Sequence, residues 1–253
     1  MTAPAAMGDS TLCQGWHLYE MALTSSTNLA AANLSPWEAV RADRQTAGRG
    51  RFQRGWVSDP GGLWLSAVVP TAPKPADGRA LPLAVGLAVC DALRAIGLQQ
   101  FRLRWPNDVL VHDRKLAGLL VDQFVPGRAV AGIGLNVFNH PETFDPALKN
   151  QTARLADLMT APPDLPHLTQ VVLASLRRVV DQIQDQGFAP LLPRINQLWG
   201  GPRLVELDLD GGLRRGTFTG VGREGQLLLL QDSGAPAAYH AYQVRHLKEL
   251  HPL

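Results

Sequence analysis

Between residues 101 and 137 four short apolar runs, 101–105, 109–111, 116–124 and 129–137, follow one another with only a few turn residues between them. Each run suits a strand in length and in its aromatic and β-branched content, and strands joined by such short turns must lie antiparallel or nearly so, with His112-Asp113-Arg114 as a hairpin turn. A sheet of this kind needs apolar cover. The segment 81–96 offers it: Leu83, Leu87 and Cys90 recur at helical spacing, and Ala84, Ala88 and Ala92 beside them allow close packing on a sheet. A further strand is expected at 63–69, and helices at 171–186 and 191–199, the second starting or kinking at Pro193. The fold class is therefore α+β, with a mixed or antiparallel central sheet and flanking helices.

After Gly200-Gly-Pro202 the texture changes. Short apolar runs at 204–209, 216–221 and 226–230 alternate with Asp-Gly, Glu-Gly and Ser-Gly turns, the pattern of a small β-barrel. The expected organisation is a disordered tail over residues 1–14, a main domain over 15–200, and a C-terminal barrel over 201–253. So small a barrel has a marginal core alone and is expected to dock on the main domain. With 24 basic against 22 acidic residues, net charge gives no ground for non-specific nucleic-acid binding. Cys13 and Cys90 lack any metal or redox spacing. The first residues carry no signal-peptide pattern and no apolar run suits a membrane span, so a cytoplasmic protein is expected.

Chemistry concentrates in a few segments. Thr46-Ala-Gly-Arg-Gly-Arg-Phe-Gln-Arg-Gly-Trp56 threads Arg49, Arg51 and Arg54 through glycines, placing bare N–H groups and guanidinium forks where phosphate or carboxylate oxygens could be met. In Arg104-Trp-Pro-Asn-Asp108, Asn107 offers donor and acceptor and Asp108 an acceptor. Lys115, in Arg114-Lys-Leu-Ala-Gly118, precedes an apolar strand that carries it to a pocket edge, and Gly118 lets a ligand approach the backbone. Gly132-Ile-Gly-Leu-Asn136 lacks the third glycine and helix of a dinucleotide site. Ser25-Ser-Thr-Asn28 looks like the cap of a short helix over 29–33, with hydroxyls equally able to meet a ligand.

In order and spacing these segments resemble the biotin protein ligases, from about Ser25 to the C-terminus. The resemblance implies a biotin/lipoate ligase-like fold with an SH3-like C-terminal barrel. It also implies an ATP-dependent ligase that makes biotinyl-5′-AMP and passes biotin to a lysine of a biotin carboxyl carrier protein. On this resemblance Ser26, Thr27, Asn28, Gln45, Gly48, Arg49, Arg51, Lys115 and Gly118 would meet biotin, while Arg51, Arg54, Trp56, Asn107, Lys115 and Asn136 would meet ATP or the adenylate. Lys115, Arg51, Arg49 and Asp108 would be catalytic, with Mg²⁺ held by Asp108 through water. The family commonly has glycine at the position of Gln53, where a side chain loses the freedom of positive φ. The short N-terminal stretch implies the class without a DNA-binding domain, hence no DNA partner. A homodimer through sheet edges is an option, with 129–137 as such an edge. A lipoate ligase of the same fold is the alternative, though its arginine/glycine motif is absent. A non-catalytic binding module is the other, set against the presence of Lys115, Arg51 and Asp108.

Overall fold

The computed structural model describes residues 8–71 and 75–250. Strands β1 (Thr11–Cys13) and β2 (Trp16–Thr24) form a hairpin around Gln14 and Gly15, both at positive φ. Residues 11–13 are thus paired strand and not the disordered tail expected there, while residues 1–7 lie outside the described residues. Helix α1 (Thr27–Ala31) crosses from β2 to β3 (Glu38–Gln45), and the two strands run parallel, as a helical crossover requires. Then come β4 (Leu63–Pro70), α2 (Pro75–Ala95), β5 (Arg102–Arg104), β6 (Asp108–Val111), β7 (Arg114–Val125) and β8 (Arg128–Leu135). The sheet order is β1-β2-β3-β4-β8-β7-β6-β5, mixed through its one parallel pair.

The strands from 101 onward pair antiparallel as their turns demand. His112 and Asp113 both take positive φ, the geometry of a two-residue hairpin whose twist matches its strands. One expectation fails here. Strand β8 lies between β4 and β7, so 129–137 has both its hydrogen-bonding edges filled and offers no free edge for a dimer; the outer strands are β1 and β5.

Alternation along the strands gives the sheet two unlike faces. Leu63, Leu65 and Ala67 of β4, Ala131, Ile133 and Leu135 of β8, and Ala117 and Leu119 of β7 point to one side. They share a core with Leu83, Leu87 and Leu93 of α2 and with Val172, Leu176 and Val179 of α5 (Leu165–Gln186). The opposite side carries Trp64 and Ser66, Gly132 and Gly134, Gly118 and Asp108. Register aligns four of these in a row across the strands: Trp64 faces Gly134, Gly134 faces Gly118, and Gly118 faces Asp108. Short helices α3 (Pro141–Phe144) and α4 (Leu155–Leu158) precede α5, and α6 (Leu192–Trp199), with Pro193 in its first turn, follows it.

Beyond Gly200 and Gly201, both at positive φ, strands β9 (Arg203–Leu209), β10 (Gly212–Val221), β11 (Leu227–Gln231), β12 (Pro236–Tyr239) and β13 (Val244–Glu249) form a second, antiparallel sheet in the order β12-β11-β10-β9-β13. It packs on the first unit without a gap in the core. Phe218 lies 4.0 Å from the Trp199 ring centroid, and the Trp105 indole donates to the Gly225 carbonyl at 2.9 Å. Glu249 of β13 accepts from Arg102 of β5 and Arg203 of β9, each at 2.8 Å. Burial raises the Glu249 pKa, but these two arginines pull harder and hold it below the usual carboxylate range. Among the described residues no helix is long and apolar enough to cross a membrane.

Candidate active site

The glycine-bearing face of the first sheet, the arginine loop and β13 enclose a cavity of about 270 Å³. Its floor is the strand row just described. The Trp56 indole lies over the bare backbone of Gly118 and Gly134: a Cβ at Gly134 would sit 2.6 Å from Trp56 Cε2, and one at Gly118 2.7 Å from its Cζ3. Gly118 lines the cavity as expected, and its bare Cα is also where the Trp56 indole lies. Trp64 meets the same indole edge-on at 6.5 Å between centroids.

A charged cluster forms one side. Asp108 is nearly buried, and Arg104 donates to its Oδ2 at 2.7 Å while Lys115 Nζ lies 2.7 Å from its Oδ1. Lys115 reaches this place through a β-bulge. Val109 pairs with Ala117 but Leu110 with Lys115, so Leu116 is the extra residue, and it enters the core while Lys115 turns to the cavity. The Lys115 backbone is clamped as well, its N–H donating to Gln151 and its carbonyl accepting from Ala153. Its ammonium also stands 5.0 Å from the Trp56 ring centroid. Burial pushes the Asp108 carboxyl up, yet Lys115 and Arg104 outweigh it and hold the group below the ordinary carboxylate range.

That arrangement does not fit the metal role expected of Asp108. Both carboxylate oxygens already face cations, and the described residues contain no group of three or more His, Cys, Asp or Glu able to hold an ion.

The arginine loop closes the cavity. Arg49 pairs with Gly55 across it, and Gln53 takes φ of 59° beside Phe52 at 54°, so the position where glycine is common does adopt the left-handed backbone. Arg51 donates through Nη2 to the carbonyls of Ala241 and Val244, and Arg54 to that of Arg245 at 3.3 Å. The loop is thereby tied to the second sheet, whose Val244, Arg245, His246 and Leu247 line the same cavity. Burial lowers the Arg51 pKa, with Asp108 opposing. Arg49 Nε is buried and has no hydrogen-bond partner among the described residues. Gly48, expected to touch a ligand, does not line the cavity. A Cβ there would meet the Trp56 carbonyl at 2.5 Å, so its bareness serves the fold of the loop.

At the other side stands α1. Ser26 is its N-cap residue but makes no side-chain cap hydrogen bond, and Thr27 and Asn28 lie within the helix. The capping role expected of these residues is not the one they play. Thr27 donates to Gln45 Oε1 from its N–H at 2.8 Å and its hydroxyl at 3.0 Å, and Asn28 Nδ2 donates to Asp122 at 2.8 Å. Ser26, Thr27, Asn28 and Gln45 all line the cavity, as do Asn107 and Asn136. Asn107 donates to the Leu119 carbonyl at 2.7 Å; Asn136 Oδ1 accepts from Asn139 at 3.0 Å, so much of its amide serves neighbouring chain. Sequence reasoning missed Asp122, Ser66, Ser58 and the β13 wall. Asp122 was findable, since it shares the parity of Gly118 and Leu120 on β7.

Against known proteins, residues 21–137 match the biotin/lipoate A/B protein ligase family. The chain is 31% identical over 250 residues to the bifunctional ligase/repressor BirA of Bacillus subtilis, covering 92% of this chain and 75% of that protein. It is 37% identical over 214 residues to the biotin–[acetyl-CoA-carboxylase] ligase of Mycobacterium tuberculosis, covering 78% and 77%. Among solved structures, the biotin protein ligase of Aquifex aeolicus in complex with biotin and ATP superposes with a TM-score of 0.81 at 28% identity, over 92% of this chain and 99% of that one.

Proposed function

The chain belongs to the biotin/lipoate A/B protein ligase family, and from that premise we propose how its cavity does the work of a biotin protein ligase. The enzyme activates biotin with ATP and transfers it to protein. A carboxylate is a poor acylating agent. Attack of the biotin carboxylate oxygen on the α-phosphorus of ATP forms a C–O–P linkage and breaks the P–O bond to pyrophosphate. The ε-amine of a lysine then attacks the acyl carbon, forming the amide and releasing AMP.

Both steps gather negative charge on phosphate oxygens, so the demand is for fixed positive charge more than for proton transfer. The observation that carries the reading is the placement of Lys115, Arg49 and Arg51 around one cavity, with a neutral polar pocket of Thr27, Asn28 and Gln45 opposite. We assign the cationic side to the phosphate and the linking carboxylate, and the α1 side to the biotin rings. The bulge at Leu116 fixes Lys115 in place, and the buried, unpartnered Arg49 Nε supports an anion nearby. Asp108 orients Lys115 and Arg104. The loop over the cavity excludes water from the anhydride.

The acceptor is the lysine of a biotin carboxyl carrier domain. Two free thiols, Cys13 and Cys90, support a reducing cytoplasm, and the near balance of charge supports action without a DNA target. Residues 15–200, with strand β1 added at its N-terminal edge, form the catalytic unit and 201–253 a supporting one that completes the cavity wall. The test is ATP–pyrophosphate exchange with biotin or lipoate, followed by labelling of a purified carrier domain. Biotin-dependent exchange and labelling are expected, and exchange with lipoate in place of biotin would refute the assignment.

A further inference from the structure

Around α1 the side chains form a chain of hydrogen bonds whose polarity is set at both ends. At one end the Ser58 hydroxyl donates to the Trp56 carbonyl at 3.0 Å, so toward Gln45 Nε2, 2.8 Å away, it can only accept. The Gln45 amide is therefore oriented, its Oε1 accepting from Thr27. At the other end is Asp122, whose carboxylate accepts and does not donate. It lies 2.8 Å from Asn28 Nδ2, which also reaches the Leu120 carbonyl at 3.3 Å. Both amide hydrogens of Asn28 are thus engaged, and its Oδ1 is turned toward Ser66 Oγ at 2.6 Å. Ser66 has one proton for Asn28 Oδ1 and for Thr27 Oγ1, the latter 2.7 Å away and already donating to Gln45.

The side-chain donors of Thr27 and Asn28 are used within the network, and their oxygens keep accepting capacity to spare. Gly132 confirms the tightness of the arrangement: a Cβ there would lie 2.9 Å from Asn28 Cγ, so the amide has room only because that residue is bare.

We propose that Asp122 is a positioning residue that acts through Asn28, fixing the amide with its oxygen as an acceptor on the cavity wall and so selecting a ligand that presents N–H groups there, as the ureido ring of biotin does. The proposal rests on the reading of this cavity as the biotin site. Without the carboxylate only the longer 3.3 Å contact to the Leu120 carbonyl opposes a turn of the Asn28 amide, and a turned amide would show the ligand a donor where it offers one itself. A merely structural role is the rival account, in which Asp122 only fastens α1 to β7.

Steady-state pyrophosphate exchange separates the two. Asp122→Asn is expected to raise KM for biotin by about tenfold or more, the scale of one misplaced hydrogen bond, with little change in KM for ATP or in kcat. Asp122→Glu, which keeps a carboxylate, is expected to recover most of the loss and guards against a variant that fails to fold. A biotin analogue methylated on a ureido nitrogen should be strongly disfavoured by the wild type and much less so by Asp122→Asn. A biotin KM and analogue preference unchanged in Asp122→Asn, with only the unfolding midpoint lowered, would overturn the proposal. Failure of the ligase reading looks different: the wild type itself would then show no biotin-dependent exchange, and both would fall together.

Discussion

Removing the charge of Lys115 tests the electrostatic account most directly. Asp108 stands between Arg104 and Lys115, so this corner of the cavity carries one net positive charge. Lys115→Met takes that to zero while keeping most of the stem that packs beside Trp56. A unit charge about 5 Å from the reacting phosphorus, at an effective dielectric constant of about 20, contributes ~3 kcal/mol. The lost cation–π contact with Trp56 adds at most ~1 kcal/mol. The first of these figures corresponds to a fall of about 10² in the rate of adenylation. The assay is biotin-dependent pyrophosphate release in a single turnover, with both substrates saturating. Asp108→Asn is the companion variant: it keeps both cations but loses the carboxylate that orients them, so any loss it shows measures positioning and not charge. Adenylation within threefold of wild type in Lys115→Met would show that Lys115 neutralises Asp108 and does nothing for the phosphate.

Arg51→Gly loses the contacts with the Ala241 and Val244 carbonyls as well as a guanidinium beside the phosphate, so biotinyl-AMP should escape faster and label bystander lysines; retention as long as in wild type would count against this. Gly134→Ala places a methyl group 2.6 Å from the Trp56 indole, an overpacking of roughly 1–3 kcal/mol that should lift the loop and speed tryptic cleavage at 49–54, whereas unchanged cleavage would mean the indole is not held there. Asp108 has its pKa depressed by folding, so its contribution to stability is complete above the ordinary carboxylate pKa of 3.8 and is lost as pH falls through the lower folded value. Melting temperature should therefore fall more steeply below about pH 4 in the wild type than in Asp108→Asn, and parallel curves would refute the ion-paired assignment.

The parts of the fold legible in the sequence were those in which local and global signals agree. Turn residues between 101 and 137 dictated antiparallel neighbours, and Leu83, Leu87 and Cys90 announced the buried face of α2. Strands β2 and β3 escaped because they lie toward an edge and bury few residues, Trp16 and Leu18 of β2 and Ala39, Val40 and Ala42 of β3. His17, Glu20, Arg41 and Asp43 interrupt their apolar pattern, and their pairing is parallel, through a helix and not a turn. In the site, residue types were legible but geometry was not. Nothing in Arg114-Lys-Leu-Ala-Gly118 shows a bulge at Leu116, yet the bulge decides where Lys115 points. The same holds for Ser26 to Asn28: the composition of a helix cap is also that of a hydrogen-bond relay, and only Gln45 and Asp122, distant in sequence, distinguish the two. Asp108 gave the contrary lesson. The resemblance implied a metal held by Asp108 through water, but the structure pairs both its carboxylate oxygens with cations that strand pairing brings in.

The same pairing of remote segments explains why the second sheet belongs to the site. Arg51 and Arg54 hold carbonyls of the segment leading into β13 and of β13 itself, and β13 supplies four residues of the cavity wall. A guanidinium gains the attraction of opposite charges when it binds a phosphate oxygen, which a neutral carbonyl does not offer. A phosphate entering the cavity would therefore compete with the Ala241 and Val244 carbonyls for Arg51. Glu249, bridging Arg102 and Arg203, ties β13 to the first sheet independently of the arginine loop, so the wall would stay in place if the loop moved. On this argument the C-terminal sheet is the rigid partner and the arginine loop the moving one, and substitutions that loosen Glu249 should act on loop closure although they lie outside the cavity.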